Sequence, residues 1–183
     1  MVFIRKKKRA HMNAAIPKVD NCCDKEAFAF FGLAAYYAQV IEHGALNLAV
    51  VLSLPEVNLV SRELHDELFE HLSKRTFGQL LKASRSALAP SLEEEELLEK
   101  AVELRNMLIH RYFSERADEF FSLEGQNEMK KELRGIIAKF VEADNLIEKI
   151  YLPLWRRHGV TEEFVQEEME RVRRSAELRD QSL

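Results

Sequence analysis

The stretch Arg105-Asn106-Met107-Leu108-Ile109-His110-Arg111-Tyr112-Phe113 decides how this chain is read. Apolar residues recur ahead of it at Leu98, Ala101 and Val102, and within it at Leu108, Ile109 and Tyr112. Steps of three and four residues place these on one stripe of a helix. Arg105 falls on the same stripe, between Val102 and Leu108. A guanidinium does not lose its proton in practice, so on an apolar face it needs a carboxylate, carbonyl groups or a ligand. His110 lies off the stripe, on a flank shared with Asn106 and Glu103.

An Arg followed by Asn, then a His, then an aromatic two residues on, resembles the signature of the HEPN superfamily (higher eukaryotes and prokaryotes nucleotide-binding domains). Arg105, Asn106, His110 and Tyr112 fill those places, and the resemblance covers roughly Cys23 to Arg157. It implies an all-α, up-and-down four-helix bundle with the motif near the end of its third helix. This chain would add an extra short helix and a C-terminal helix. The resemblance also implies metal-independent RNA cleavage, in which the sugar 2′-hydroxyl attacks the neighbouring phosphate and leaves a cyclic phosphate. His110 would then be the acid/base, a role suited to imidazole near neutral pH. Arg105 would clamp the charge building on the phosphorus oxygens. Asn106 would orient His110 or a phosphate oxygen, and Tyr112 would support the motif. The alternative within the same resemblance is a noncatalytic interaction or regulatory protein, related to toxin–antitoxin or defence systems or to operon regulation.

The nuclease expectation meets a geometric difficulty. Five residues on a regular helix separate Arg105 and His110 by ~140° about the axis. A homodimer offers a remedy, because family members commonly bring two motifs together at a two-fold interface. The competing expectation is an ion pair from Arg105 to an acid on another helix, Glu42 or Asp144, that locks the bundle. RNA and a protein partner (an antitoxin or a regulator) are the further partners implied. No cofactor and no metal are expected.

Outward from the motif, the composition supports one domain with appendages. Hydrophobic residues make up 46%, enough for a sizeable core, and the few glycines (6) and prolines (4) suit long helices with short connections. The net charge is −4, but Arg5 to Arg9 holds five basic residues, so the body carries −9 (−4 − 5). An acidic body argues against broad, nonspecific coating of nucleic acid and leaves room for a local basic cleft. Residues 1–22 read as a flexible basic tail, either a phosphate-seeking arm or vector-derived sequence. Cys22 and Cys23 are adjacent, which offers neither a disulfide framework nor zinc spacing. A reducing, cytoplasmic home fits.

The bundle is expected over 23–158. A first helix from about Asp24 is apolar on most sides, but Glu42 and His43 interrupt it short of the ~18–20 residues needed to span a bilayer. It reads as a central helix and dimer face, with Gly32, Ala34, Ala35 and Ala38 allowing close approach. Leu54-Pro55 ends it, and a second helix follows from about Leu59 to Lys74, with His65 and His71 on solvated faces. Thr76/Gln79 and Ser91/Glu94 read as capping boxes opening a short helix and the motif helix, the latter running to Tyr112 or Phe113. A fourth helix spans about Leu123 to Trp155, with Pro153 bending or ending it. Arg156, Arg157 and His158 before Gly159 give the expected order at a helix C-terminus. Residues 159–183 hold a last helix, Glu162 to about Leu178, packed on the bundle or on a partner.

Overall fold

The computed structural model describes residues 24–55 and 61–180, and among them there are eight helices and no strand. These are α1 (Asp24–Leu52), α2 (Arg62–Leu72), α3 (Phe77–Leu88), α4 (Leu92–His110), α5 (Tyr112–Glu115), α6 (Ala117–Phe120), α7 (Leu123–Arg157) and α8 (Glu162–Asp180). The basic tail, Cys22, Cys23 and the expected helix start at Leu59 lie outside the described residues. No described helix is long and apolar enough to cross a membrane.

The spine of the fold is α1 against α7. Ala27, Phe30, Ala34, Ala38, Ile41, Ala45 and Leu48 bury one side of α1, and Met129, Leu133, Ile137, Phe140, Ala143 and Ile147 bury the facing stripe of α7. The alanines let the two backbones approach. At Gly44 a Cβ would stand only 2.9 Å from the Asp144 carboxylate, so glycine is what fits there. Gly32 behaves differently from its neighbours in the same stretch. It is exposed with open space around it, so it serves no helix contact among the described residues.

The helices α1, α2, α3, α4 and α7 alternate in direction. Lys130 pairs with Glu26, and Asp144 and Ile147 lie beside Gly44, so α1 and α7 run parallel. The His43 ring stacks on Phe69 while His65 meets Trp155, which turns α2 against both. Arg85 of α3 pairs with Glu95, and Gly78 faces Val102, so α3 and α4 are antiparallel. α4 in turn is antiparallel to α1, through Arg105 with Glu42 and Tyr112 with Phe31. The short helix α3 is thus a full member of the alternation.

Local chemistry sets the helix ends. Both expected capping boxes form, with the Thr76 and Ser91 hydroxyls accepting from the Gln79 and Glu94 amides and the side chains of those two residues reaching back. α7 runs through Pro153 without ending there and stops at Arg157. Its close is a Schellman turn: Val160 N–H donates to Trp155 O at 3.1 Å, Gly159 N–H donates to Arg156 O at 3.1 Å, and Gly159 takes φ 78°.

One expectation on α2 is corrected. His65 is not on a solvated face but is 3% exposed, packed against Phe69 and Trp155. Its Nδ1 lies 2.9 Å from an Asp66 carboxylate oxygen. The reason is visible in the spacing, since His65, Leu68, Phe69 and Leu72 share one stripe.

Candidate functional site

The motif straddles a break in the backbone. α4 ends at His110, two or three residues earlier than the sequence pattern suggests, and Arg111 departs from helical geometry (φ −136°, ψ −9°) before α5 begins at Tyr112. That one-residue break swings Tyr112 inward. The ring is 1% exposed, lies 5.8 Å from Phe31, and its hydroxyl donates to Met129 O at 3.1 Å. Burial, and then the negative charge of Glu132, push its phenol well above the usual range. Tyr112 therefore acts as a plug joining the end of α4 to the start of α7.

Arg105 points toward α1. One terminal nitrogen donates to both Glu42 carboxylate oxygens at 3.1 Å, and the other donates to Asn106 Oδ1 at 3.2 Å. The pair is partly screened from water, with side chains 23% and 30% exposed. The carboxylate that an arginine on an apolar stripe requires is thus supplied from within the chain, and Glu42 rather than Asp144 supplies it. Asn106 is exposed, and its side-chain carbonyl accepts from Arg105.

His110 faces solvent on the last turn of α4. No side-chain hydrogen bond joins it to Arg105 or to any other described residue. The fixed positive charge that would complete a phosphate site with it, Arg105, is turned toward Glu42 of α1. Arg111, next to it, pairs with Glu115 at 3.1 Å. Arg116 is held by two bonds to Glu132, at 2.9 and 2.6 Å, with the Tyr112 hydroxyl nearby. The cations around the motif are therefore already matched with acids. At the far end of α7, Arg156 pairs with Glu162 of the next helix.

Sequence reasoning passed over Lys130. Its side chain is wholly buried, and its ammonium donates to Glu26 at 2.9 Å. The signal was of the same kind as at Arg105: a base at a stripe position, between Met129 and Leu133. Asp144 is likewise buried, and its charge helps to raise the phenols of Tyr37 and Tyr151, after burial and the larger effect of Tyr36 and Glu148, respectively. Among the described residues, no group of three or more His, Cys, Asp or Glu side chains is placed to hold a metal ion.

Comparison of the chain with protein-family models, with curated proteins and with solved structures gives no match. What the described residues define is an all-helical arrangement whose α4 carries an arginine paired with Glu42 and an exposed histidine.

Proposed function

We propose that this chain is a noncatalytic, HEPN-like helical interaction protein in which the Arg/His signature serves the fold. The observation that carries the reading is the Arg105–Glu42 pair. A transition-state clamp must be free to meet a phosphate oxygen, and here the guanidinium is bound through both terminal nitrogens, to Glu42 and Asn106. The likeness to the HEPN class rests on Arg105, Asn106, His110 and Tyr112 and on the alternation of the helices.

An interaction role is supported by the end of the bundle next to the motif. The Phe28 ring packs at a tilt against Phe113 and Phe120, with centroids 5.4 and 5.3 Å apart, and Phe120 lies 6.3 Å from Phe121. Phe28 and Phe121 remain 53% and 87% exposed. Solvent-facing aromatics in one cluster are a feature of surfaces that meet protein. A protein partner, an antitoxin or a regulator in the terms of the resemblance, suits this surface better than RNA does, because Arg116 beside it is bound to Glu132.

The test is RNA cleavage in excess EDTA by the wild type, His110→Ala and Arg105→Ala, each shown to be folded by circular dichroism. The expected result is the same trace from all three. A cyclic-phosphate product made by the wild type and lost in both variants would replace this reading with a metal-independent endoribonuclease.

A further inference from the structure

The solvent-facing aromatic corner also carries a charge pattern. The Phe28 ring lies against Phe113 and Phe120, and Phe121 lies against Phe120. Leu123, which opens α7 two residues beyond Phe121, is 65% exposed. α6 sits directly against the first turn of α7, since a Cβ at Gly125 would collide with the Glu119 carbonyl. The run Asp118-Glu119-Phe120-Phe121-Ser122-Leu123-Glu124 is thus one compact corner, with acids on both sides of its aromatics.

Residues 111–132 hold four bases and six acids. Every one of those bases is answered: Arg111 by Glu115, Arg116 by Glu132, Lys131 by Glu128 and Lys130 by Glu26. Asp118, Glu119 and Glu124 are left without an ion pair among the described residues, and all three stand within three residues of Phe121 in the chain. Lys25, a turn ahead of Phe28 on α1, offsets one of them. The apolar corner therefore has an acidic rim. That charge disfavours two occupants. A second copy set face to face about a two-fold axis would bring the same carboxylates against one another. RNA would bring phosphates to them. Apolar side chains interleaved with lysine or arginine complement both the rings and the rim.

We infer that the partner of this surface is a basic amphipathic segment of another protein. Its apolar side chains cover Phe28, Phe121 and Leu123, and its lysines or arginines meet Asp118, Glu119 and Glu124. The two kinds of contact do different work. Burial of the exposed rings supplies the affinity. Ion pairs at a wet rim add little affinity and instead select the sign of the partner. The inference rests on the reading of this end of the bundle as an interaction surface. It uses neither Arg105 nor His110, so the cleavage assay and the binding measurement below can fail separately.

The experiment is fluorescence anisotropy with the full chain and two labelled probes, a short amphipathic peptide of leucine and lysine and its leucine–glutamate counterpart. The lysine peptide is expected to bind about tenfold or more tightly than the glutamate peptide, by a margin that shrinks as salt is raised. Phe121→Ala with Leu123→Ala should weaken the lysine peptide by about tenfold or more. Both side chains are exposed, and circular dichroism checks that the fold is kept. Asp118→Lys, Glu119→Lys and Glu124→Lys together should reverse the preference to the glutamate peptide. Glu67→Lys, Glu99→Lys and Glu177→Lys together change the net charge equally at exposed positions on α2, α4 and α8, and should leave the preference in place. A lysine peptide that does not bind overturns the inference, as does equal binding of the two peptides. So does a preference that the distant reversal shifts as much as the local one, which is attraction to an acidic protein at large. Binding that appears only after Lys6→Glu, Lys7→Glu and Lys8→Glu gives the surface to this chain's own N-terminal segment. A wild-type dimer that Phe121→Ala dissociates gives it to a second copy, and either result also overturns the inference.

Discussion

Arg105 and His110 stand on one helix, five residues apart, yet they belong to different regions of the molecule. Arg105 lies in the contact between α4 and α1, half-buried and answered by Glu42. His110 lies at the open corner where α4 gives way to α5, exposed and unanswered. The helical repeat alone turns them ~140° apart, and the break at Arg111 reorients Tyr112 without bringing His110 back. The difference teaches that a sequence signature is only a site if the backbone between its members brings the side chains to one place. Here the packing of α1 claims one member and the core claims another.

The comparison is sharpened first at Tyr112, where the largest effect is expected. Tyr112→Ala removes a buried aromatic that joins α4, α1 and α7, and should cost about 3–5 kcal/mol in urea unfolding. Tyr112→Phe keeps the ring and loses the hydroxyl's bond to Met129 O and its interaction with Glu132, so about 1 kcal/mol is expected at neutral pH. The phenols of Tyr112 and Tyr151 are both raised in the folded chain, so the native state holds their protons more tightly than the unfolded state does. Stability should therefore be unaffected by these groups below about pH 10 and should fall as pH climbs beyond it. A chain carrying both Tyr112→Phe and Tyr151→Phe should show a shallower decline in the same titration.

The smallest effect is expected at the other end of the motif. His110→Ala touches an exposed residue without partners and should move the unfolding free energy by less than about 0.5 kcal/mol. A loss comparable with that of Tyr112→Ala would mean that His110 is part of the packing and would break the contrast drawn between the two regions.

Much of this architecture was legible in the sequence because it is written in local chemistry. Thr76 with Gln79, Ser91 with Glu94 and the run into Gly159 announced helix ends through hydrogen bonds that span only a few residues. Arg105 announced a need for an acid from another helix, and Glu42 was one of those the sequence offered. The burial of His65 was legible too, from its spacing with Phe69 and Leu72, but its charged neighbours Asp66 and Glu67 masked the stripe. Other features were not local. Nothing in the spacing around Arg111 separates an unbroken helix from one that turns at a single residue, because that choice is made by Met129 and Phe31 receiving Tyr112. The partner of Lys130 lies over a hundred residues away in the chain, on the first turn of α1, and only the parallel packing of α1 and α7 selects it.

The most direct test of the claim that Arg105 serves the fold is a double-mutant cycle on Arg105→Ala and Glu42→Ala, read by urea unfolding. Each single change should cost about 1–2 kcal/mol, and the pair should show a coupling of roughly 0.5–1.5 kcal/mol, since each side chain is lost to the other. A coupling near zero, with Arg105→Ala as stable as the wild type, would contradict the account and return Arg105 to the solvent and to chemistry.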